Sequence, residues 1–362
     1  MDFDFADVLL EVLERKASDL HITVGVPPMV RVRGRLTAME EYPRLSANDT
    51  REVIYSILSN DQRQRLETDW QLDFAYSIPG HARFRVNAYF QRGSLGAAFR
   101  LIPAKIESME TLGLPPVAHE FCKKPRGLVL VTGPTGSGKS TSLAAMLDSI
   151  NDTREEHIMT VEDPIEFLHS HKKCMVNQRE LGADAPTFAL ALRAALRQDP
   201  DVILVGEMRD LETISTALTA AETGHLVFAT LHTQNAPQTI DRIIDVFPAE
   251  QQGQVRVQLS VALEGIMTQQ LLPTADGSAR VAAIEALVPT PAVRNLIREG
   301  KTHQIMSVMQ TGGSFGMQTM EAALATLVRQ GKITSRLAEA RSSSPEELKR
   351  LMGAGAGMSM AA

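Results

Sequence analysis

The chain has 362 residues, of which 44% are hydrophobic and 22% charged, proportions typical of a soluble globular protein rather than a fibre or a disordered chain. At about 150 residues per domain, this length favours two domains over one compact core. Lys and Arg number 37 against 43 Asp and Glu, a formal net charge of −6, so the composition offers no general cationic field for nucleic acid or anionic lipid.

The first residues predict no targeting signal. Asp2 and Asp4 make the N-terminus acidic where a secretory signal is basic, and no apolar run approaches the roughly 18 residues that span a bilayer. The two cysteines, Cys122 and Cys174, are too few for a disulfide framework or a four-thiolate zinc site. We therefore expect a cytoplasmic protein with two ordinary buried thiols.

Residues 1–102 have the pattern of a small α+β domain. Five apolar residues between positions 5 and 13 have helical spacing, which predicts an opening helix. Two-residue alternation at 72–78 and 84–90, separated by Pro79-Gly80, predicts a hairpin, and 95–101 predicts a third strand. We expect these strands to form an antiparallel sheet.

The rest of the chain has the pattern of an α/β domain. Residues 103–125 are rich in proline and predict a linker with at most one short helix. From 126 to 345, short β-branched runs alternate with helical stretches, which is typical of a parallel sheet covered by helices. The predicted strands are 128–132, 158–161, 202–205 and 226–230, and the predicted helices include 188–197 and 211–222. We predict a disordered tail at 346–362, which ends in Gly, Ala, Ser and Met alone.

The sequence GPTGSGKS at 133–140 satisfies the phosphate-loop pattern, between a predicted strand and a predicted helix that extends to about residue 150. Its glycines let the backbone curl so that successive N–H groups point at phosphate oxygens, and the helix N-terminus adds a favourable dipole. Lys139 is expected to hold the β- and γ-phosphates of a nucleotide, and the Ser140 hydroxyl to ligate Mg²⁺.

Two acidic clusters follow predicted strands. The run 202–205 leads to Glu207, which a parallel sheet places at its carboxyl edge beside the phosphate loop, where it can act on Mg²⁺ or its water. The run 158–161 leads to Glu162, Asp163 and Glu166, more acids than magnesium binding requires, so one of them is a candidate general base. Spacing alone does not choose between Glu162 and Glu166, and a structural capping role stays open.

Histidine and arginine complete the candidate chemistry. His232 ends the apolar run 226–231 at the edge that Glu207 and Lys139 share, so its imidazole is placed to sense a γ-phosphate. Phosphoryl transfer also needs cations that balance the charge spreading over the phosphate oxygens. The candidates in this domain are Arg193, Arg197, Arg209 and Arg242, although an ordinary surface role is the default for each of them taken singly.

Four motifs in this order resemble those of the secretion and type IV pilus ATPases over nearly the whole chain. Residues 133–141 resemble the Walker A motif, TVEDPIEF at 160–167 the aspartate box, LVGEMRD at 204–210 a Walker B motif with Glu for the usual Asp, and 224–233 the histidine box. The resemblance implies a PAS-like N-terminal domain followed by a RecA-like P-loop NTPase domain with a C-terminal helical region.

The resemblance also implies residue roles. It assigns Glu166 as the catalytic glutamate, Glu207 as the Walker B acid, His232 as the histidine-box residue, and Arg197 and Arg242 as residues that close the site. The implied nucleotide-binding residues are Gly133, Pro134, Thr135, Gly136, Ser137, Gly138, Lys139, Ser140 and Thr141.

Residues 292–299, AVRNLIRE, are similar to the AIRNLIRE signature of the retraction ATPases, the PilT or twitching-motility branch of the family. As a helix, this segment places its apolar residues on one face and Arg294, Arg298 and Lys301 on another. The similarity implies a role in pilus retraction. Pilus assembly ATPases usually carry a four-cysteine zinc motif, which two cysteines cannot supply. The segment has Val293 where the family usually has Ile.

The resemblance therefore implies a homohexameric ATPase that uses ATP and Mg²⁺ to retract type IV pili. It implies peripheral association with a platform protein at the cytoplasmic face of the inner membrane, without a transmembrane segment and without nucleic acid. Alternatives stay open: a type II secretion or conjugation ATPase, or an accessory retraction subunit that does not hydrolyse ATP. A DNA motor conflicts with the net charge and with the lack of a basic aromatic groove.

Overall fold

The computed structural model describes residues 4–32, 34–78, 81–102 and 105–353. The chain divides into two compact units. The first contains the chain up to Lys105 together with Glu166–Leu168, and the second contains Ile106–Ile165 and the chain from His169 onward. Each unit combines helices with one sheet, so the predicted α/β class is confirmed.

The first unit contains a six-stranded antiparallel sheet with strand order β3-β2-β1-β6-β5-β4. Its strands are β1 (Asp19–Ile22), β2 (Met29–Val32), β3 (Arg35–Ala38), β4 (Gln71–Ile78), β5 (Ala82–Gln91) and β6 (Ser94–Ile102). Its helices are α1 (Phe5–Glu14), α2 (Ala47–Ser56) and α3 (Asn60–Asp69). The predicted opening helix and antiparallel sheet are confirmed, while the predicted turn at Pro79-Gly80 lies outside the described residues.

Sequence analysis missed α2 and α3, although both begin with a readable signal. Ser46 and Asp49 exchange hydrogen bonds as a capping box at the start of α2, and Ser59 and Gln62 do the same for α3. Such boxes satisfy N-terminal amides that have no partner within the helix. The apolar face of α1 packs onto the sheet, where the Phe5 and Phe99 rings lie 5.5 Å apart.

The second unit contains a seven-stranded sheet with order β13-β12-β7-β11-β10-β8-β9. Its strands are β7 (Gly127–Thr132), β8 (His157–Glu162), β9 (Met175–Glu180), β10 (Val202–Val205), β11 (Leu226–Leu231), β12 (Leu263–Pro273) and β13 (Arg280–Leu287). Neighbouring strands are parallel except that β13 pairs antiparallel with β12. The four predicted strands are confirmed, and β9, β12 and β13 were missed.

Helices cover the faces of this sheet. They are α4 (Val117–Cys122), α5 (Lys139–Thr153), α6 (Phe188–Ala195), α7 (Leu211–Glu222), α8 (Ala236–Asp245), α9 (Ala249–Ala262), α10 (Pro291–Arg298), α11 (Ile305–Thr311), α12 (Met320–Arg329), α13 (Ser335–Arg341) and α14 (Pro345–Gly353). Short 3-10 turns lie at Thr302–Gln304 and Gly313–Phe315. Within the described part of the chain, no helix is both long and apolar enough to cross a bilayer.

The predicted linker at 103–125 differs from the structure, because the second unit already begins at Ile106. Helix α4 buries Phe121 in the core of this unit. The ring lies over Gly265 of β12, where an added methyl group would collide with it. The proline-rich segment from Ile106 onward is therefore packed into the second unit and is not a linker.

The predicted disordered tail is wrong between 346 and 353, where α14 is helical. Leu348, Leu351 and Met352 recur at helical spacing and pack with α12, and Leu348 is fully buried. The prediction of disorder followed the Gly- and Ala-rich sequence at the end of the chain and overlooked these apolar residues. Residues 354–362 lie outside the described part of the chain.

The AVRNLIRE segment forms most of α10, with Val293 and Ile297 buried as expected. Val at 293 keeps a β-branched side chain in the core position of the family's Ile. Arg294 differs from the expectation of a surface charge: it donates hydrogen bonds to the Ser260 and Val261 carbonyls at the end of α9. It also pairs with Glu264 at 2.9 Å. The arginine therefore caps α9, where last-turn carbonyls lack helical partners.

We expect Leu348→Ala to lower the free energy of unfolding of the second unit by about 2–5 kcal/mol, because it leaves a cavity in a fully buried position. Chemical denaturation of the full chain, followed by far-UV circular dichroism, measures this change. Lys349→Ala, at an exposed neighbour, is the control and should shift the transition little. Equal stability of the two variants would mean that α14 does not contribute to the core.

Candidate functional site

A glycine-rich loop, 133–138, joins β7 to α5 at the carboxyl end of the sheet. Gly133 has φ of 138°, and a side chain there would collide with the backbone of Gln269. Gly138 has φ of 89° and forms the N-cap of α5. Glycine is thus required where the loop approaches β12 and where it enters the helix.

Lys139 is the first residue of α5, and its side chain reaches back to this loop. Its Nζ donates hydrogen bonds to the carbonyl oxygens of Gly133 at 2.8 Å and Pro134 at 3.1 Å. The residue is 9% exposed, so an ammonium group lies almost fully buried at the start of α5. The structure thereby meets the context that the phosphate-loop motif requires: a strand, a curled loop and a helix that carries the lysine in its first turn.

Gln269 of β12 forms a hydrogen bond with the glycine-rich loop. Sequence analysis did not identify this residue. Its Nε2 donates a 2.7 Å hydrogen bond to the Ser137 carbonyl, and the residue is 1% exposed. Beside it, the hydroxyls of Thr132 and Thr268 lie 2.9 Å apart across β7 and β12. The available signal was a polar pair inside an apolar run, TQQLL at 268–272, which is unusual for a buried strand.

Glu207 follows β10 at the same edge of the sheet. Arg209 donates two hydrogen bonds to its carboxylate, at 2.5 and 2.6 Å, and His232 Nε2 lies 3.0 Å from its Oε1. Burial alone would raise the pKa of Glu207, but the Arg209 hydrogen bond and the charges of His232, Arg209 and Lys139 lower it on balance. The group is therefore ionised at neutral pH.

Neighbouring strands fix the turn that carries Glu207. The Gly206 amide donates to the Val161 carbonyl of β8 at 2.7 Å, and the Gly206 carbonyl accepts from the Thr230 hydroxyl of β11 at 2.5 Å. The Met208 amide donates to the Thr230 carbonyl. The turn is thus held on both sides, which limits where the carboxylate can lie.

A cavity of about 440 Å³ opens beside this carboxylate. It is lined by Glu207, Met208, Arg209, Leu231, His232, Thr233, Gln234, Gln238 and Arg242. The structure thus brings together Glu207, His232 and Arg242 from three different elements. Arg197 is exposed just beyond α6 and is not among the residues that line the cavity, and Arg193 pairs with Glu212 at 2.7 Å.

The two candidate glutamates of the 160–167 segment differ in environment. Glu162 is buried and accepts hydrogen bonds from the Thr160 hydroxyl at 2.6 Å and the Gln178 amide at 3.1 Å. Glu166 is exposed and belongs to the short segment that groups with the first unit. The Glu162 carboxylate is thus held by two donors, as buried polar groups usually are, whereas that of Glu166 is exposed.

The fold and this loop define an α/β protein of the phosphate-loop class. Residues 4–344 match the sequence profile described as "Type II/IV secretion system protein", and the chain belongs to that family. A Pseudomonas aeruginosa protein named "Type IV pilus retractation ATPase PilT" is 53% identical over 343 residues, which cover 95% of this chain and 99% of that protein.

Two further comparisons agree with this assignment. A Neisseria gonorrhoeae protein named "Twitching motility protein" is 52% identical over 321 residues, covering 89% of this chain and 86% of that protein. A crystal structure described as the pilus retraction motor PilT with bound ADP matches with a TM-score of 0.91 at 52% identity. It covers 96% of this chain and 100% of that chain.

We expect Gln269→Leu to weaken binding of ADP by roughly tenfold, because a buried hydrogen bond that fixes the Ser137 peptide is lost. Isothermal titration calorimetry on the purified chain measures this affinity. Gln270→Leu is the matched control, since adjacent strand residues point to opposite faces of the sheet. If both variants bind ADP like the unmodified chain, the support that Gln269 gives to the loop is irrelevant to the nucleotide.

Proposed function

We propose that this chain is an ATP-hydrolysing hexameric motor that powers type IV pilus retraction and hence twitching motility. The observation that carries the ATPase part is the buried Lys139 ammonium within the curled loop, within electrostatic reach of Glu207. The retraction part is supported by relatives of nearly the same length that are named for retraction and twitching motility. The AVRNLIRE helix adds to that support.

The hydrogen-bond acceptors of Lys139 support nucleotide binding by this loop. Its ammonium binds two neutral carbonyl oxygens, of Gly133 and Pro134. Charged phosphate oxygens are stronger acceptors for an ammonium, so the β- and γ-phosphates of ATP would replace these carbonyls. The backbone amides of 135–141, in the loop and at the start of α5, would bind the remaining phosphate oxygens.

The site also fits Mg²⁺, which prefers oxygen ligands. The ionised carboxylate of Glu207 and the hydroxyl of Ser140 would hold the ion, directly or through water. When bound, the ion would neutralise charge on the phosphates. Arg209, whose side chain is 73% exposed, would have to give up hydrogen bonds to Glu207 where the ion binds that carboxylate directly.

Hydrolysis needs a base, a phosphate sensor and cations. Glu166 would polarise the attacking water, since its carboxylate is exposed where that of Glu162 is held by two donors. His232 would bind the γ-phosphate, and Arg242, which lines the same cavity, would balance the developing charge. Arg197 is exposed and would contribute when the site closes.

The assembled protein would be a homohexamer whose first unit is PAS-like and whose second is RecA-like. It would act at the cytoplasmic face of the inner membrane, bound peripherally to the pilus platform protein. Cycles of closing and opening around ATP would drive subunits of the pilus fibre back into the membrane. Nucleic acid is not among the proposed partners, in keeping with the net charge of −6.

We expect Glu166→Gln to reduce kcat for Mg²⁺-dependent phosphate release by roughly 10²–10⁴-fold, because general-base catalysis contributes about that factor. ATP affinity should change little, whereas Lys139→Ala should abolish binding. A coupled phosphate-release assay and calorimetry measure the two quantities. Glu162→Gln, which retains an acceptor oxygen for Thr160, should keep most of the turnover. Full activity of Glu166→Gln would reject its assigned role, and no phosphate release from the unmodified chain would favour the accessory subunit.

We expect deletion of the gene in its host to stop pilus retraction and leave protein secretion unchanged. Twitching-zone diameters and the export of a type II substrate measure the two outcomes. Complementation with the unmodified gene should restore twitching, while a Lys139→Ala copy should not. Lost secretion with retained twitching would identify a secretion ATPase instead.

A further inference from the structure

Glu285 is a buried acid in β13 that the proposed chemistry does not use. It is 1% exposed, in the strand at the edge of the large sheet. Residue 285 faces Thr268 across the β12–β13 pair, and Thr268 in turn pairs with Thr132, the last residue before the glycine-rich loop. A row of polar residues thus crosses the sheet from the loop to Glu285.

The carboxylate of Glu285 lies at the first residues of two helices. Its Oε1 accepts a 2.8 Å hydrogen bond from the amide of Ala236, which begins α8. The backbone of Met320, which begins α12, lies near enough to lower the pKa of the same carboxyl group. Helix N-terminal amides lack helical acceptors and carry partial positive charge. One buried carboxylate therefore lies beside both helix starts, at the same point of the sheet.

Helix α8 connects this point to the candidate site. It starts four residues after His232, and it carries Gln238 and Arg242 in the 440 Å³ cavity. The Thr233 and Thr239 hydroxyls lie 2.7 Å apart, which fastens the histidine-box segment to the first turn of α8. Any shift of the α8 start would therefore move the residues on that wall of the cavity.

Helix α12 connects the same point to the C-terminal segment. Gln318 pairs with Ala286 of β13 through two backbone hydrogen bonds, and its Nε2 donates to the Ile284 carbonyl at 2.6 Å. Glu321 is buried, and its Oε1 accepts hydrogen bonds from the backbone or hydroxyl groups of three successive serines, Ser342, Ser343 and Ser344. The segment before α14 is therefore tied to α12 beside Glu285.

Opposed electrostatic effects act on Glu285. Burial raises its pKa, the backbone of Ala236 lowers it, the negative charge of Glu321 raises it and the backbone of Met320 lowers it, and the net result is a pKa of about 7. The charged residues of the packed helices, Asp241, Arg242 and Asp245 on α8 and Arg329 on α12, are exposed. Because the folded-state pKa is raised, the stability that this group contributes is present below the ordinary value and is lost as pH rises through about 7.

We propose that Glu285 is a positioning residue that clamps the start of α8 to the start of α12, and thereby sets the place of His232 and Arg242 in the nucleotide site. The ionised carboxylate offers acceptors to both amides, whereas the protonated form turns one oxygen into a donor. The consequence for turnover rests on the proposed function. The clamp itself does not, since it can be measured without ATP.

The experiment compares full-length chains carrying Glu285→Gln and Glu321→Gln with the unmodified chain between pH 6 and pH 9. We expect kcat of the unmodified chain to rise with the ionisation of Glu285 as pH increases. Glu285→Gln should lack this rise and show roughly tenfold lower kcat at pH 8.5, with KM for ATP within about twofold, because the phosphate loop is untouched.

Glu321→Gln separates a positioning role from a structural one. It removes a neighbouring charge but keeps an oxygen for the three serines, so the pKa of Glu285 should fall and the midpoint of the profile should move to lower pH by roughly half a unit to one unit. Glu339→Gln, an exposed acid of α13, is the control and should follow the unmodified profile. A Glu285→Gln profile that keeps the rise, or a midpoint that Glu321→Gln leaves in place, would overturn the proposal.

Hydrogen exchange of the nucleotide-free chain supplies a readout that needs no activity. After correction for the intrinsic pH dependence of exchange, peptides covering the starts of α8 and α12 should lose protection in Glu285→Gln relative to the unmodified chain at pH 8.5. Unchanged protection would overturn the clamp. If the unmodified chain releases no phosphate, the proposed function fails. Hydrogen exchange alone then tests whether Glu285 holds the starts of α8 and α12.

Discussion

A buried positive charge is the constraint on which the second unit depends. The Lys139 ammonium lies almost out of solvent at the start of α5, where it donates hydrogen bonds to the carbonyls of Gly133 and Pro134. Burying a charge is costly unless polar groups surround it. The positive φ of Gly133, the close approach of β12 and the hydrogen bond from Gln269 to the Ser137 carbonyl set the course of the loop that carries those carbonyls. A loop that holds a cation in this way is preorganised for anions that bind it better.

The carboxyl edge of the sheet then concentrates opposite charge near that lysine. Parallel strands β7, β10 and β11 end together, so the residues that follow them meet although they are far apart in sequence. Glu207 follows β10 and His232 follows β11. Gly206, next to Glu207, forms hydrogen bonds with the neighbouring strands β8 and β11. The order of the strands thus determines which side chains meet at the site. These side chains lie in or just after the short segments that follow β7, β10 and β11.

Sequence reasoning recovered the parts of this arrangement whose signals are local. The loop at 133–140, the acid after β10 and the histidine after β11 each follow a short apolar run, and the structure brings Glu207, His232 and Arg242 to one cavity. It did not recover Gln269 or Glu285, because the role of each depends on a hydrogen-bond partner that is distant in sequence. The end of the chain was misjudged for a related reason: the value of Leu348 as a core residue appears only once α12 is beside it.

The guanidinium of Arg294 changes how defects in the signature helix should be interpreted. This guanidinium donates hydrogen bonds to the last carbonyls of α9 and forms an ion pair with Glu264, which Lys124 also contacts. Arg294 therefore stabilises the internal packing of the second unit. A lysine in its place would keep the charge and lose the planar fork. A motility phenotype caused by substitution at this position would therefore report on the internal geometry of the motor before it reports on any lost contact with another protein.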